Sequence, residues 1–536
     1  MSQKFMKRFK DPIYGYIDVD DDIADKIIDT PEFQRLRNII QTSYSPLYAS
    51  AVHNRFVHSL GVYYLGQIVA KSINKISKVT IDSERYKKIF EFACLLHDVG
   101  HAPFSHTGEY LYLGEKSSRD ELHKAIIDLT CDSTLSEEIE KKNYAAAPHE
   151  LMSVVVALKK YDFLFENMDE RSFFARCILG YEYSSKMDLN KSYLNCIISM
   201  LNSSLIDVDK LDYLMRDSYI TGFDTVSIDY ERLLKNVKII EKENECRLIY
   251  SKAAVSIIEN VIYAHDAERK WIQNHPVVQY EAFILKYAME KLNIEYEIFS
   301  YEALTNEGKV LTDSLRVSLL SDGDVLFLMK NRKNDKLINE YFARNERRHP
   351  LWKSEAEYKA IFNRGFSEIS LEKLENEFEE LSKYLNYNNN SSKINDEALQ
   401  KLKEDIEKTK SQLENVTKTE KNERLKKQIE QKQKHVKWLK CLKAFAESQN
   451  IDFDFIIIKA SQFNSGFGKV ALDDLEIEFP ELQYPSKFKE VTNTLSSFRS
   501  DRDKFFYIFY RRNNQKHIEV KKLAQELAKL CLEDCY

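Results

Sequence analysis

The segment Leu95–His106, LLHDVGHAPFSH, places three histidines and an aspartate directly after an apolar run with helical spacing. Gly100 and Pro103 interrupt the helix between these histidines, so a single apolar helix face cannot bury all of them. Each buried imidazole would also need a partner of its own. Convergence on a metal ion and an anionic substrate would satisfy them together. A helix end with incidental histidines stays open from this segment alone, because a second His-Asp pair occurs at His265–Asp266.

Length, charge and cysteines limit the class of protein. At 536 residues the chain is long enough for two or three domains. The net charge of −6 is spread over interspersed acids and bases, which indicates neither a nucleic-acid-binding nor a membrane-surface protein. The eight cysteines form no CxxC pairs, and no apolar run resembles a signal peptide or approaches the roughly 20 residues of a membrane span. We therefore expect a soluble, cytoplasmic protein with reduced thiols.

The spacing of apolar residues predicts a mainly α fold. From about 33 to 292, apolar residues recur at intervals of three and four, as in an amphipathic or buried helix. Strand-like alternation is limited to Tyr14–Val19 and Cys246–Tyr250, which predict small accessory hairpins. Near the C-terminus, Phe453–Lys459 and Phe505–Arg511 are continuous β-branched and aromatic runs of strand length. They predict a small α+β lobe.

A segment rich in lysine, glutamate and asparagine interrupts this lobe. Between Leu371 and Leu442 the apolar residues have the spacing of a heptad, in two runs separated by the polar stretch 386–396. We expect an antiparallel helical hairpin or coiled coil that projects from the globular body or pairs with a sister subunit. A solvated surface helix is equally open for the lysine-rich part, 418–435. The apolar positions are Leu371, Leu374, Phe378, Leu381 and Leu385, then Leu399, Leu402, Ile406, Leu413 and Val416.

These patterns predict a division of the chain into four parts. They are a helical core over 1–300, the start of the C-terminal lobe over 301–370, the helical insertion over 371–445 and the α+β remainder of the lobe over 446–536. The remainder ends in an amphipathic helix over Glu519–Leu532.

Two polar islands in apolar context offer partners for His97 and Asp98. One contains His58, and the other, Ile206–Asp217, contains Asp209 among several acids that lie close to the buried stripe. Burying an acid without a partner is costly, so we expect a metal ion or a cationic side chain there, although a helix with one solvated acidic face would have the same pattern. The mixed set suits a divalent ion, with Mn, Mg, Fe, Co and Zn all open, and such a site performs hydrolysis. Its candidate ligands are His58, His97, Asp98 and Asp209.

Three further histidines are candidates for proton transfer or phosphate contact: His101, His106 and His149. Glu109 and Glu150 are placed near two of them in sequence and could orient the imidazoles. A single histidine is more often structural than catalytic. The co-occurrence of these residues favours a catalytic site.

The order of the motifs resembles the HD superfamily, specifically the deoxynucleoside triphosphate triphosphohydrolases of the SAM-and-HD-domain type and their bacterial relatives. The resemblance is strong through about Asp217, moderate to about 300, and weaker in the segment 311–327 and the two late strands. It implies an HD phosphohydrolase core over 1–300, no SAM domain, and an insertion in the C-terminal lobe. The matching segments are KDPIYGYI (10–17), IIDTPEFQRLRNIIQ (27–41), HNRFVHSLGV (53–62), LLHDVGHAPFSH (95–106), HE (149–150) and IDVDKLDYLMRD (206–217).

The resemblance implies a role for each matching residue. The four candidate ligands would hold the metal, and His106 with Glu109 would supply acid chemistry at the scissile phosphate, supported by His149 with Glu150. The implied reaction is attack of water at the α-phosphorus, which releases a deoxynucleoside and inorganic triphosphate. The implied substrate contacts are Arg55 and Lys210 to phosphates, Gln41 to the sugar 3′-hydroxyl, and Tyr213 and Asp217 in the sugar pocket.

Departures from the family pattern concern the substrate. His265, Arg269 and Gln273 stand where the family has Arg, His and Tyr. Because positions four apart share a helix face, His265 and Arg269 are still expected to reach the same phosphates. The amide in place of the tyrosine ring, and Thr42 where the family commonly has Leu, put sugar discrimination in question.

The leading hypothesis is a metal-dependent dNTP triphosphohydrolase that forms a homo-oligomer. One rival is an HD phosphohydrolase that acts on another nucleotide or phosphoester. A rival of another class is a catalytically silent protein that binds nucleotide or nucleic acid and uses the insertion to bind a partner. Retention of all four presumed ligands and of His106 argues against the silent protein. We expect no membrane association, and the sequence does not indicate nucleic-acid binding.

Overall fold

The chain divides into two compact units. The first comprises Met1–Arg269, Leu285–Lys330 and Asn464–Arg499, and the second comprises Lys270–Ile284, Asn331–Phe463 and Ser500–Tyr536. The four-part division drawn from the sequence stays a prediction. The computed structural model describes residues 5–42, 47–113, 116–141, 146–184, 188–203, 206–224, 226–296, 309–312, 315–317, 319–332, 334–362, 368–386, 394–414, 419–461, 472, 475–482, 484–492, 504–511 and 518–533.

The predicted mainly α fold with small β elements is confirmed. The α-helices are α1 (Asp21–Ile23), α2 (Pro31–Gln34), α3 (Arg55–Ser72), α4 (Ser83–Leu96), α5 (Lys116–Thr130), α6 (Ser133–Lys141), α7 (Pro148–Lys160), α8 (Met168–Leu179), α9 (Leu189–Ile198), α10 (Val208–Thr221), α11 (Tyr230–Lys235), α12 (Val255–Glu268), α13 (Pro276–Tyr296), α14 (Asp322–Lys330), α15 (Lys336–Phe342), α16 (Glu355–Phe362), α17 (Glu368–Leu385), α18 (Ile394–Glu414), α19 (Thr419–Ser448), α20 (Phe488–Val491) and α21 (Val520–Glu533). Short 3₁₀ or π segments cover Ala24–Ile28, Arg35–Asn38, Ser105–Thr107, Glu109–Leu113, Asp162–Leu164, Lys252–Ala254, Arg269–Gln273 and Arg344–Glu346. The strands are β1 (Met6–Asp11), β2 (Gly15–Asp20), β3 (Val237–Lys242), β4 (Glu245–Ser251), β5 (Lys309–Thr312), β6 (Leu315–Val317), β7 (His349–Pro350), β8 (Ile456–Ser461), β9 (Glu476–Glu478), β10 (Ser486–Lys487) and β11 (Lys504–Tyr510).

Capping side chains fix the starts of three helices of the first unit that carry or directly precede the predicted metal ligands. Asn54, Asp82 and Asp207 each accept a hydrogen bond from the backbone N–H three residues later, at 3.2, 3.2 and 2.7 Å. They cap α3, α4 and α10 and satisfy donors that the helix itself leaves free. Gly222 ends α10 in the left-handed region, with φ of 68°. The sequence thereby sets where each of these helices begins.

The core of the first unit lies between α3, α4, α7 and α8. Helix α4 packs against both α3 and α8, and α3 also packs against α10. Gly66 of α3 faces Cys94 of α4 so closely that a Cβ atom at residue 66 would lie 2.7 Å from the Cys94 Sγ. The close approach explains why α3 carries a glycine in mid-helix despite its low helix propensity.

Small sheets flank this helical core. Strands β1 and β2 form an antiparallel hairpin with Met6 opposite Asp20, and β3 and β4 form another with Val237 opposite Tyr250. The two hairpins contain the two segments for which the sequence predicted strands. Strand β4 also pairs in parallel with β9, with Ile249 opposite Glu476.

The second unit contains a three-stranded sheet in the order β7-β11-β8. Strands β8 and β11 are antiparallel, with Phe505 opposite Ala460, and they correspond to the two predicted late strands. Trp352 is buried and donates from Nε1 to the Phe506 carbonyl at 2.9 Å. The amphipathic helix predicted at the end of the chain is α21, whose Leu523 and Leu527 are fully buried.

The predicted insertion consists of three helices, α17 to α19, of which α18 packs against α19. The apolar residues of the first heptad run, on α17, are at most 1% exposed, and the Phe378 ring lies 5.9 Å from that of Phe506 on β11. The first run therefore covers the sheet instead of projecting from the lobe, because one apolar helix stripe suits a sheet as well as a coiled coil. Residues 419–435 of the lysine-rich part fall within α19. Val416 and residues 387–393 lie outside the described residues, and coiled-coil pairing stays a prediction.

Two asparagines at the ends of the polar stretch bind strand β8 and the residue before it. Asn386 donates to the Ile457 carbonyl at 2.7 Å and accepts from the Ile457 N–H at 3.0 Å. Asn395 forms the same pair of bonds with the backbone of Phe455. The amide side chains thus satisfy backbone groups that would otherwise lack partners.

Across the described part of the chain, every helix is too short or too polar to cross a bilayer. Six cysteines in that part are free thiols: Cys94, Cys131, Cys177, Cys196, Cys246 and Cys441. Cytoplasmic localisation stays a prediction.

Candidate metal centre and active site

The four candidate metal ligands come from three helices of the first unit. His58 lies one turn into α3, His97 and Asp98 directly follow α4, and Asp209 lies in the first turn of α10. A carboxylate is favoured in the first turn of a helix because the free N–H groups there are partially positive. The caps of α3 and α10 therefore also determine how His58 and Asp209 face the centre.

The structure brings these four side chains together. The Nε2 atoms of His58 and His97 are 3.3 Å apart. Asp209 Oδ1 lies 2.9 Å from His58 Nε2 and 3.6 Å from His97 Nε2. Asp98 lies 3.6 Å from His58 Nε2 and 3.5 Å from His97 Nε2. The atoms of His58, His97 and Asp209 are close enough for one ion to bind them together.

The hydrogen bonds of the two imidazoles suit a divalent cation. His97 Nδ1 donates to the Cys94 carbonyl at 2.9 Å, which leaves the Nε2 lone pair facing the centre. His58 Nδ1 donates to Asp212 Oδ2 at 2.7 Å, which leaves its Nε2 on the same side. Metal-binding histidines in proteins are oriented in this way by a carbonyl or carboxylate behind the ring. The donor set of two imidazoles and two carboxylates fits a borderline or hard divalent ion.

Asp212 is a functional candidate that the sequence analysis did not assign. It is fully buried and accepts from His58, from Tyr14 Oη at 2.7 Å and from Arg216 Nη2 at 2.8 Å. Arg216 in turn donates to Asp11 Oδ2 at 2.9 Å. The family segments around 11–14 and 206–217 therefore meet behind His58. The spacing of Asp212 and Arg216, four residues apart on one helix, was the available sequence signal.

The charges at the centre shift the pKa values of its groups. Burial raises the pKa of Asp98, but the Arg55 guanidinium and the nearby histidines outweigh it and hold that pKa well below its usual range. Burial lowers the pKa of His58, but its hydrogen bonds to Asp209 and Asp212 raise it overall to about 9. The centre thus keeps Asp98 ionised, and the His58 imidazole holds a proton when no cation is bound.

A second cluster contains the remaining candidate histidines. Glu109 bridges two of them, with Oε1 2.8 Å from His106 Nδ1 and Oε2 2.6 Å from His149 Nδ1. The His101 and His149 rings are stacked, with centroids 4.3 Å apart. His101 is fully buried, and neither of its ring nitrogens has a hydrogen-bond partner among the described residues. His106 is 64% exposed, so it can meet a ligand from outside.

Burial and charge also shift the pKa values in this cluster. Burial lowers the pKa of His149, but the Glu109 carboxylate outweighs this and raises it to about 9. Burial raises the pKa of Glu109, but the two imidazoles hold it well below its usual range. Burial and the positive charge of Arg55 hold the pKa of His101 well below its usual value. Similar imidazoles thus favour opposite protonation states, as in sites that need both proton donors and neutral contacts.

Arg55 joins the two clusters. It is buried and donates from Nη1 to Asp98 Oδ2 at 2.8 Å, from Nε to Ser105 Oγ at 2.9 Å and from Nη2 to the Gln41 carbonyl at 3.2 Å. Its Nη2 also lies 3.5 Å from His106 Nε2. The predicted phosphate contact is therefore also the residue that holds the parts of the site together.

Predicted sugar-pocket residues lie close to Arg55 and include unpaired polar atoms. Asp217 Oδ1 lies 2.6 Å from His53 Nε2, and Gln41 N–H donates to the His53 carbonyl at 2.9 Å. His53 was missed, although it opens the segment HNRFVHSLGV. Within the described residues, Gln41 Oε1, Asp217 Oδ2, His53 Nδ1 and the Thr42 hydroxyl are buried without a hydrogen-bond partner. Such atoms indicate a place for a polar ligand or water.

Other predicted residues make structural contacts. Lys210 Nζ binds Asp207 at 2.5 Å and the Ser203 carbonyl at 2.6 Å. The carboxylate of Glu150 accepts from Ala147 N–H at 2.7 Å and from Asn202 Nδ2 at 2.8 Å, so its hydrogen bonds secure the start of α7 and not an imidazole.

The remaining predicted substrate contacts lie on α10 and at the end of α12. Tyr213 is on α10, and burial raises its pKa well above the usual value. His265 Nδ1 lies 3.7 Å from Asp266 in a local pair, and Arg269 directly follows α12. Neither His265 nor Arg269 forms a hydrogen bond with the two histidine clusters in the described part of the chain.

Comparison with known proteins identifies one domain of the chain. Residues 55–158 match the HD domain. The chain contains an HD domain. The matched HD segment contains His58, the pair His97–Asp98, and all three histidines of the second cluster, whereas Asp209 follows it in the chain.

Relatives of this HD protein include characterised and uncharacterised proteins. The deoxynucleoside triphosphate triphosphohydrolase SAMHD1 of Xenopus laevis is 28% identical over 357 residues, which are 65% of this chain and 55% of the relative. Human SAMHD1 is 30% identical over 278 residues, 51% of this chain and 42% of the relative. The uncharacterised protein YwfO of Bacillus subtilis is 29% identical over 280 residues, 52% of this chain and 54% of the relative. The chain thus spans about half the length of the curated relatives it matches.

A solved structure shares the fold. The crystal structure of a hypothetical protein from Aquifex aeolicus matches 98% of this chain and 100% of that chain, with a TM-score of 0.54 and 18% sequence identity. At this identity the likeness concerns the fold of the HD protein alone.

Proposed function

We propose that this protein is a metal-dependent phosphohydrolase that converts a deoxynucleoside triphosphate and water to a deoxynucleoside and inorganic triphosphate. The observation that carries the proposal is the convergence of His58, His97, Asp98 and Asp209 beside a second cluster of proton-transfer groups. The similarity to SAMHD1, a deoxynucleoside triphosphate triphosphohydrolase, supports the choice of substrate. The HD domain supports the reaction class in general.

The four ligands would hold one divalent cation, and Mn, Mg, Fe, Co and Zn all suit the donor set. When bound, such a cation neutralises phosphate oxygens and lowers the pKa of water. Asp212 and the Cys94 carbonyl hold the two ligand imidazoles in the tautomer that leaves Nε2 free. Arg55 keeps Asp98 ionised and therefore ready to bind a cation.

The second cluster would supply the acid. Cleavage between the α-phosphorus and the 5′-oxygen requires a proton for that oxygen, and exposed His106 would donate it from Nε2. Glu109 holds the proton-bearing Nδ1 of His106 and of His149 at 2.8 and 2.6 Å, which aims both Nε2 atoms away from the carboxylate. Charged His149 and neutral His101 would contact phosphate oxygens, since an imidazole in either protonation state has an N–H group to donate. Glu150 would support His149 by fixing the start of α7.

The substrate contacts extend from this centre. Arg55 would contact a phosphate while it keeps its hydrogen bond to Asp98. Lys210 would contact a phosphate only after its ion pair with Asp207 is broken. The unpaired oxygens of Gln41 and Asp217 would accept hydrogen bonds from the hydroxyl groups of the sugar, and the sugar would lie beside Tyr213. His265 and Arg269 are proposed as further phosphate contacts on the strength of the family pattern.

One observation favours a different sugar. The Thr42 hydroxyl is buried and has no hydrogen-bond partner among the described residues, next to Gln41. An unpaired hydroxyl can bind a ribose 2′-hydroxyl, whereas the leucine common in the family would repel it. The alternative is therefore hydrolysis of a ribonucleotide or another phosphoester by the same centre. Exchange of Thr42 for leucine separates the two, since it should lower only ribonucleotide turnover.

The assembly of the protein is also a proposal. The heptad spacing of apolar residues in the insertion supports a homo-oligomer or a partner bound through the insertion. Light scattering of the purified chain tests this directly: a mass equal to one chain at micromolar concentration would contradict the homo-oligomer.

The function is tested by turnover of each dNTP and NTP separately, with Mn, Mg, Fe, Co or Zn supplied in turn. We expect hydrolysis of dNTPs that requires a metal and stops with chelator. Turnover of NTPs alone would favour the alternative sugar. No turnover of any nucleotide, alone or in mixtures, would contradict the proposal and favour a binding protein.

A further inference from the structure

A carboxylate from a distant part of the chain holds the loop that carries His106. Asp322 Oδ1 accepts from the Phe104 N–H at 2.6 Å, and its Oδ2 accepts from the Ile40 N–H at 2.8 Å. Asp322 begins α14 and lies 218 and 282 residues from these partners in sequence. One side chain thus joins the segment before Gln41 to the segment before His106.

The loop needs such support because its backbone is strained. Phe104 has φ of 57° and Ser105 has φ of 53°, two successive non-glycine residues in the left-handed region. Side chains with a Cβ atom adopt this conformation only when surrounding contacts enforce it. The turn that follows, Ser105–Thr107, contains His106 itself. A relaxed loop would therefore move the imidazole that we place at the leaving group.

Other contacts show that the loop is held from several sides. Ser105 Oγ donates to the Ile40 carbonyl and accepts from Arg55 Nε at 2.9 Å. Arg35 is buried and binds the His101 carbonyl on the loop and the Leu320 carbonyl just before α14, the latter at 2.6 Å. The two segments joined by Asp322 are thus joined again by Ser105. Among these contacts, Asp322 contributes the carboxylate that accepts from both backbone donors, the N–H groups of Ile40 and Phe104.

Asp322 is not needed to cap its own helix. Asp324, two residues later, accepts from the Ser321 N–H and from its hydroxyl, each at 2.7 Å, and so secures the start of α14. Both oxygens of Asp322 are left for the other two segments. The two aspartates stand at the same helix start and have different partners, so each can be changed without the other.

We propose that Asp322 is a positioning residue of the active site, which aligns the segments carrying Gln41 and His106 by binding the N–H groups of Ile40 and Phe104. The proposal rests on the proposed function for the identity of the reaction. The arrangement of the loop itself does not depend on which substrate is hydrolysed.

The test compares Asp322→Asn with the matched control Asp324→Asn. An asparagine keeps the size of the side chain but offers one acceptor oxygen, so one of the two N–H groups meets an N–H₂ group instead. Steady-state kinetics give kcat and KM per bound metal ion, and hydrogen exchange followed by mass spectrometry reports the loop 99–108. Thermal unfolding shows that each variant is folded.

For Asp322→Asn we expect kcat to fall about 10- to 100-fold, as displacement of a catalytic group by about 1 Å does. KM should change less than about threefold, and metal content should stay as in the wild type, because the ligands themselves are untouched. Exchange in the loop should become faster, while that in α4 stays the same. Asp324→Asn should leave kcat and loop exchange unchanged.

Wild-type kcat per metal ion in Asp322→Asn would overturn the proposal, and so would an equal loss in Asp324→Asn. The hydrogen-exchange measurement tests the positioning role of Asp322 independently of the proposed reaction. If the wild type hydrolyses no nucleotide, faster loop exchange in Asp322→Asn still supports the positioning role, and unchanged exchange overturns it.

Discussion

Arg55 Nη1 donates to Asp98 Oδ2 at 2.8 Å, and both side chains are buried. The same guanidinium binds Ser105 and the Gln41 carbonyl. A planar group with five donors can serve these partners together, whereas an ammonium on a flexible stem cannot. The arginine of the motif HNRFVH is thus as important for the shape of the site as for its charge.

Arg55→Lys should therefore lower kcat/KM by at least about tenfold although the charge is retained, because lysine cannot keep the forked contacts. Metal content should stay near that of the wild type, since Asp98 still has a cation beside it. Arg8→Lys, a change at an exposed ion pair with Asp18, is the control and should have no effect. Wild-type kinetics in Arg55→Lys would contradict the organising role.

Asp212→Asn should weaken metal binding by about 10- to 100-fold, as is typical when the hydrogen-bond partner of a ligand imidazole is changed. It should also lower stability by about 3–5 kcal/mol, because buried Arg216 loses one of its two carboxylate partners. Metal titration and denaturant unfolding measure the two effects. Unchanged metal affinity in the folded variant would show that Asp212 supports only the fold.

Gly61→Ala should disturb the same network from the side of α3. A Cβ atom at residue 61 would lie 1.9 Å from Asp212 Oδ1 and 2.5 Å from Arg216 Nη2. We expect a loss of about 1–3 kcal/mol of stability, the usual cost of overpacking a buried site. Gly323→Ala is the control, since the nearest side-chain atom of the described residues to its Cβ position is the Ser321 hydroxyl, at 3.9 Å. Equal denaturation midpoints for the two variants would contradict the close approach.

The pH profile of the reaction should depend on Glu109. The pKa of His149 is about 9 because the Glu109 carboxylate outweighs the effect of burial. The charged imidazole should therefore persist at neutral pH, and kcat should fall only as the pH rises toward 9. Glu109→Gln removes the largest raising effect and leaves burial, which lowers the pKa, against the weaker raising effects of Glu150 and Asp98, so the alkaline limb should move to lower pH by at least about one unit. A limb that stays in place or moves to higher pH would show that another group controls it.

His97→Ala and Asp98→Ala should each abolish metal binding and hydrolysis while leaving helical content unchanged in circular dichroism. Each change removes a donor atom from the centre without altering the caps of α3, α4 or α10. His275→Ala, in the second unit, is the control and should retain both metal and activity. Full activity in either ligand variant would exclude the proposed metal assignment.

The sequence was most informative where one short segment contained both an apolar helical pattern and side chains that can bind a metal ion. Leu95–His106 ends an apolar helix and contains two candidate ligands, and the acidic segment Ile206–Asp217 contained the third, Asp209, among several acids. The helical core and the late strands followed from periodicity, since the burial of those residues depends on local spacing. These parts of the fold and of the candidate site could therefore be predicted.

Partners that are distant in sequence could not be predicted from spacing. Asp212 appeared as one acid among several, and only the fold shows that it lies behind His58. Asp322 lies in a weakly matching segment, and its two backbone partners lie in the first fifth of the chain. Helix α17 has the spacing of a heptad, and the strands that it packs against, β8 and β11, lie more than 70 residues later in the chain. The spacing of apolar residues identifies the buried face of a helix, but it does not identify the element against which that face packs.

In the proposed reaction, water attacks the α-phosphorus of a nucleoside triphosphate at the centre formed by His58, His97, Asp98 and Asp209. The most direct test is hydrolysis of a dNTP in heavy-oxygen water, with mass spectrometry of both products. The account predicts one heavy oxygen in the released triphosphate and none in the deoxynucleoside, with no product from the Asp98→Ala variant. Heavy oxygen in the deoxynucleoside, or release of diphosphate or monophosphate instead of triphosphate, would contradict it.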